Sequence, residues 1–199
     1  MLGRAPGLLG ILAVAVIAGC RTVPVHPPAP SQPWEVTRLA LQARDHFELK
    51  GRVAVAAGKD GFNAALRWTQ DGPRSQVSLQ GPLGAGGVQI TADGNDLSIV
   101  TSHGDRLDSD AARAELGSRL GFDPPLGSLR YWIQGVPDPA SPSQETLDSQ
   151  QRLQTLQQNG WQIDYTAYAP AAGGSWLPSR LTVQTSGVRV RVIVDGWSG

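Results

Sequence analysis

The sequence predicts a mainly β fold with helices (α+β), built as one curved antiparallel sheet covered by helical segments. Three observations predict it. From Leu49 onward, apolar residues alternate with polar ones at a period of two, stretch after stretch. Turn-forming clusters separate these stretches at short intervals, which joins neighbours as hairpins. The helical patterns are grouped at the start and in the middle instead of alternating with strands, which argues against a parallel, doubly wound sheet.

The elements follow in chain order. Trp34 to Phe47 carries apolar residues at Val36, Leu39, Leu41, Ala43 and Phe47, a helix expected to pack on the domain. Val53 and Val55 then alternate with Arg52 and Ala54, and Lys59-Asp60-Gly61 turns the chain. Phe62, Ala64, Leu66 and Trp68 make the next apolar face, with Arg67 on the polar one, and Asp71-Gly72-Pro73 turns again. Val77 and Leu79, then Val88 to Ile90, then Leu97 to Val100 continue the meander, the last two joined at Asp93-Gly94-Asn95-Asp96. Ser109 or Asp110 is placed to cap a helix running through Leu120, and Pro124-Pro125 interrupts it. Leu126 to Gln134 is a short helix with Leu129, Trp132 and Ile133 together. Leu153 to Gln157 and Trp161 to Tyr168 flank an Asn159-Gly160 hairpin signal, and Leu181 to Val183 and Val188 to Val192 form the last pair. That makes eight or nine strands and two or three helices. A sheet with so generous an apolar face encloses either a filled core or a cavity, and periodicity does not separate the two.

Ahead of this domain the chain reads as a leader and a tether. Arg4 is the only charge before Cys20, and Gly7 to Ala18 is an apolar run broken only by Gly10. The run is short for a bilayer span and suits the apolar region of a secretory signal. Ile17-Ala18-Gly19-Cys20 resembles a lipobox, so residues 1–19 are expected to be a signal peptide, with lipid on Cys20 after cleavage. Each buried methylene contributes about 0.8 kcal/mol, so one sixteen-carbon chain is worth on the order of 10 kcal/mol and three make a permanent anchor. Arg21 stands where an inner-membrane retention signal would carry aspartate, which favours the outer membrane. Residues 20–33 contain five prolines and read as an extended tether, leaving 34–199 as the domain.

Charge and reactive residues exclude several functions. The chain has 17 basic and 17 acidic residues without a block of either sign, so a nucleic-acid partner is not expected. Cys20 is the only cysteine, which rules out an internal disulfide, and acylation removes its thiol chemistry. Ser102, His103 and Asp105 are sequence neighbours in a polar turn, unlike a triad assembled from separate elements. No metal-ligand spacing occurs, and Gly84-Ala85-Gly86-Gly87 lacks the ending of a phosphate loop. Neither an enzyme activity nor a cofactor or metal is expected.

Four further segments occur in order: Phe47-Glu48-Leu49-Lys50-Gly51-Arg52-Val53-Ala54-Val55, Ala65-Leu66-Arg67-Trp68-Thr69-Gln70, Gly81-Pro82-Leu83-Gly84, and Leu129-Arg130-Tyr131-Trp132-Ile133-Gln134-Gly135-Val136-Pro137. Together with the lipobox, this series resembles the LolB family of outer-membrane lipoproteins, from about Phe47 to Trp197. The resemblance implies a half-open β-barrel with a helical lid, similar to the periplasmic carrier LolA. It also implies an apolar cavity that accepts acyl chains of client lipoproteins from that carrier, by a monomer that releases them into the inner leaflet of the outer membrane. Candidate cavity residues are then Phe62, Leu66, Trp68, Val77, Leu79, Ile90, Trp132, Ile133 and Tyr165. Leu83 lies between Pro82 and Gly84 at a hairpin tip. In the family the matching leucine protrudes and delivers lipid to the membrane. Two rival readings are a lipocalin-like lipoprotein for another apolar ligand and a scaffold lipoprotein of an envelope assembly.

Overall fold

The computed structural model describes residues 33–82 and 86–199. The expected signal peptide, the lipidated Cys20, the tether up to Gln32, and Leu83 lie outside the described residues.

Helix α1 covers Trp34–Gln42, five residues short of the expected end at Phe47. Phe47 instead belongs to the first strand, where it is 2% exposed between Trp68 and Trp197 at ring-centroid distances of 6.1 and 5.6 Å. Burial among aromatic rings on the sheet outweighs its place in the helical pattern. The expected packing face is also divided. Trp34 and Leu41 turn inward, with Trp34 Nε1 donating to Glu145 Oε2 at 2.7 Å, whereas Val36 and Leu39 are exposed.

Among the described residues the sheet has eleven strands. They are β1 (His46–Ala57), β2 (Asp60–Asp71), β3 (Arg74–Gln80), β4 (Gly87–Asp93), β5 (Asp96–Thr101), β6 (Arg106–Asp108), β7 (Ser143–Leu147), β8 (Leu153–Gln158), β9 (Trp161–Pro170), β10 (Trp176–Thr185) and β11 (Val188–Ser198). The two beyond the expected nine are β6 and β7, three and five residues long and too polar to show alternation. Spatial order is β6-β5-β4-β3-β2-β1-β11-β10-β9-β8-β7, antiparallel throughout, with β6 and β7 at the two open edges. The register shifts between Lys50 and Gly51, where Asp195 is an extra residue in β11 and bends that strand against β1. A Cβ on Gly51 would stand 2.2 Å from the Ile193 carbonyl oxygen, so this approach requires glycine.

The chain passes from one open edge to the other between β6 and β7. That connection carries α2 (Ser109–Leu120) and α3 (Leu126–Trp132). It lies over the apolar face because the alternating strands leave that face otherwise uncovered. Pairing registers define two ends of the sheet. At the base, Phe47 meets Trp68 and Trp197, whose indole donates to the Pro178 carbonyl at 3.1 Å. At the rim are the β8–β9 and β10–β11 turns and the two ends of the β3–β4 connection, where Gly81 N donates to Gly86 O. Asn159 and Gly160 form the predicted β8–β9 hairpin turn, with φ of 53° and 76°.

Candidate functional site

Alternation places Val53 and Val55 of β1, Leu66 and Trp68 of β2, Val77 and Leu79 of β3, and Ile90 of β4 on the inward face. Leu181, Val183, Val190 and Val192 arrive from β10 and β11. Leu120, Phe122, Pro124, Pro125, Leu126, Leu129, Trp132 and Ile133 of the lid segment, with Trp161 at the rim, complete an apolar cavity of about 120 Å³. Every lining residue is apolar or aromatic, and the indole N–H groups of Trp132 and Trp68 are satisfied elsewhere. Trp132 Nε1 donates to Gln158 Oε1 at 2.7 Å, and Trp68 Nε1 donates to Gln70 Oε1 at 3.1 Å.

Seven of the expected cavity residues border this space: Leu66, Trp68, Val77, Leu79, Ile90, Trp132 and Ile133. Phe62 and Tyr165 do not. Phe62 is half-buried near the rim end of β2, paired with Val55 of β1. Tyr165 is buried, but its hydroxyl is committed to the Trp132 carbonyl at 2.9 Å, which holds the ring beneath α3. Sequence reasoning missed Phe122, Pro124, Pro125 and Leu126 as lining. These residues sit in an aperiodic, proline-interrupted segment, and only the crossing from edge to edge brings them over the sheet.

The two helices are held differently. Ala112 and Leu116 of α2 pack on Ile90, Leu97 and Ile99, a small apolar cluster. The end of α3 sits in a polar network. Ser128 Oγ donates to Asp138 at 2.7 Å, Asn159 Nδ2 donates to Ser128 Oγ at 3.2 Å, and the Gln158 amide donates to the Asp138 and Ser141 carbonyls at 2.8 Å each. Between them Gly121 caps α2 in the left-handed region (φ 76°), and Phe122 meets Trp161 at 5.6 Å between centroids.

Ionisable groups near the site are structural in character. Burial pushes the Tyr165 hydroxyl well above its ordinary value of 10.0, with Tyr168 and Glu145 adding to the effect. Tyr168 is raised in the same way by burial and by Asp148, against the opposing charge of Arg152. Burial alone would raise Asp148, yet hydrogen bonds from Arg152 and from the Gln150 backbone, with the Arg152 charge, hold it below 3.8. Arg152 also lies over the Tyr168 ring at 4.5 Å. Arg52 and Arg67 are exposed on the polar face, and His103 lies in an exposed turn. Among the described residues, no cluster of three His, Cys, Asp or Glu is placed to hold a metal, and no helix is long and apolar enough to cross a membrane.

The family model "Outer membrane lipoprotein LolB" matches residues 45–197. The chain belongs to the LolB family. It is 32% identical over 193 residues to the outer-membrane lipoprotein LolB of Pseudomonas aeruginosa, covering 95% of this chain and 94% of that one. It is 33% identical to the LolB of Nitrosococcus oceani, covering 94% of each. As a member of LolB, the protein is a lipid-anchored outer-membrane lipoprotein facing the periplasm. Among solved structures, a LolA-superfamily protein from Nitrosomonas europaea shares the fold with TM-score 0.51 at 12% identity, covering 85% of this chain and 93% of that one. A DUF1329 family protein from Desulfovibrio piger does so with TM-score 0.50 at 8% identity, covering 83% and 90%. The unclosed curved sheet with three helices is therefore the LolA-type fold.

Proposed function

We propose that this chain, anchored through lipid on Cys20, accepts lipoproteins from a LolA-type periplasmic carrier and passes them to the inner leaflet of the outer membrane. The observation that carries the reading is the wholly apolar cavity beneath a two-part lid. A client's acyl chain left in water costs on the order of 10 kcal/mol, so transfer needs a continuous apolar path. No nucleotide site is needed. An affinity step of about 1.4 kcal/mol from carrier to receptor gives a tenfold bias.

The cavity also dictates how the receptor works. A protein cavity of about 150 Å³ holds one benzene, so 120 Å³ is far short of a sixteen-carbon chain. Loading therefore requires the lid to move. The α2 half moves and the α3 half stays, because the buried residues of α2, Ala112 and Leu116, sit in a small apolar cluster, whereas α3 ends in the Trp132–Gln158–Asp138 network. Gly121 and the Pro124-Pro125 break supply the flexible joint between them.

The decisive experiment mixes the signal-less Cys20→Ser chain with carrier–lipoprotein complex and follows the cargo. Cargo should move to this chain, and cargo that stays on the carrier sinks the reading. Strong binding of free fatty acids without any uptake from the carrier would favour the lipocalin-like alternative. Leu83, in the connection that leaves the rim, is proposed to enter the bilayer. The Leu83→Glu chain should take up cargo normally but incorporate it into liposomes at least several-fold more slowly. An unchanged incorporation rate would remove Leu83 from the mechanism.

A further inference from the structure

A second concavity lies at the rim, on the side of the sheet facing away from the cavity. Four adjacent strands carry glutamine at directly paired positions: Gln144 with Gln157, Gln157 with Gln162, and Gln162 with Gln184. The row floors an open groove of about 910 Å³ bounded by Ser143, Asn159, Trp161 and Thr185. Its lining residues are uncharged, with Arg189 beside it donating to Gln184 Oε1 at 3.3 Å. Two of the amides are fixed in place by Asp164, which accepts from Gln162 Nε2 at 3.0 Å and from Gln184 Nε2 at 3.1 Å. Gln144 and Gln157 are exposed and have no side-chain partner among the described residues. Trp161 borders both this groove and the apolar cavity.

An acylated lipoprotein has two chemical parts meeting at one residue. Its hydrocarbon chains end at the modified cysteine, and a polar polypeptide continues from there. With the chains in the cavity, the polypeptide must leave across the cavity wall, and Trp161 is the wall shared with a polar groove. Residues 21–33 of this chain exemplify such a segment, with Arg21 as its only full charge and five prolines. Amide side chains offer a donor and an acceptor each, so the two unengaged amides, Gln144 and Gln157, can pair with extended backbone whatever its side chains are, beside the fixed pair Gln162 and Gln184. That property suits a receptor for many clients. Three interstrand steps of about 4.8 Å span roughly 14 Å, the length of four or five extended residues.

We propose that the Gln144–Gln157–Gln162–Gln184 groove binds the first four or five residues following a client's acylated cysteine. The inference rests on the cavity reading above. Two probes separate them: tripalmitoyl-cysteine amide, and the same group carrying a neutral eight-residue Ser/Asn/Gly extension. The signal-less Cys20→Ser chain should bind the extended probe about tenfold more tightly, the gain expected from two or so added hydrogen bonds. The exposed pair Gln144→Ala/Gln157→Ala should lose that gain while binding the short probe as before. Equal affinity of the parent chain for both probes, or a gain that survives the double substitution, overturns the groove and leaves the cavity standing. Failure to bind even the short probe overturns both.

Discussion

Helices α2 and α3 lie in one connection over one sheet, yet they are attached by different physics. The α3 end is tied by directional bonds: Trp132 to Gln158, Tyr165 to the Trp132 carbonyl, and Ser128 to Asp138. Such bonds are specific, and breaking one takes a partner from the buried groups it joined. The α2 helix rests on Ala112 and Leu116 against three strand residues. Apolar contact is non-directional and tolerates sliding. On the proposed reading, the comparison suggests one way for a lid to open without unfolding its domain: α3 serves as the fixed wall and α2 as the movable cover.

The largest effect should come from the fixed half. Trp132→Ala removes a fully buried indole and leaves the Gln158 side-chain oxygen with the Asp138 N–H as its remaining donor. It should destabilise the fold by about 3–5 kcal/mol in chemical denaturation. Leu116→Ala, on the loose half, should cost about 2 kcal/mol, near the lower end for such truncations because α2 can settle. It should also speed entry of a fluorescent fatty-acid probe, which Trp132→Ala does not do by a native-state route. Equal destabilisation by the two, with no change in entry rate for Leu116→Ala, would erase the distinction between the halves.

The smallest effect concerns Tyr165. Tyr165→Phe should cost about 1 kcal/mol at neutral pH through its lost hydrogen bond to the Trp132 carbonyl. Tyr165 and Tyr168 keep their protons more tightly when folded than at the ordinary value of 10.0. The unfolded chain then loses protons first as pH rises. Their contribution is therefore complete below about pH 10 and declines above it. Denaturation midpoints between pH 9 and 11 should fall less steeply for Tyr165→Phe than for the parent chain. A slope unaltered by the substitution would place the alkaline sensitivity elsewhere.

Legibility in the sequence followed the range of the interactions. Strands β1 to β5 were plain because alternation is local, and so was the Asn159-Gly160 turn, whose left-handed φ suits those residues. Cavity residues from Leu66 to Ile90 could be named for the same reason. Phe47 was assigned to the wrong element because its helical spacing is local, while its partners, Trp68 and Trp197, are distant in sequence. Edge strands β6 and β7 were hidden by their shortness and polarity.

By itself the sequence determined the meander, its apolar face and the family. These are written in short-range periodicity and in motif order. Only the tertiary structure decided that the interior keeps a cavity, that Phe122 and the two prolines roof it, and that four glutamines align across strands. Each depends on which distant segments meet, and at what register, and that is set by the packing of the whole sheet.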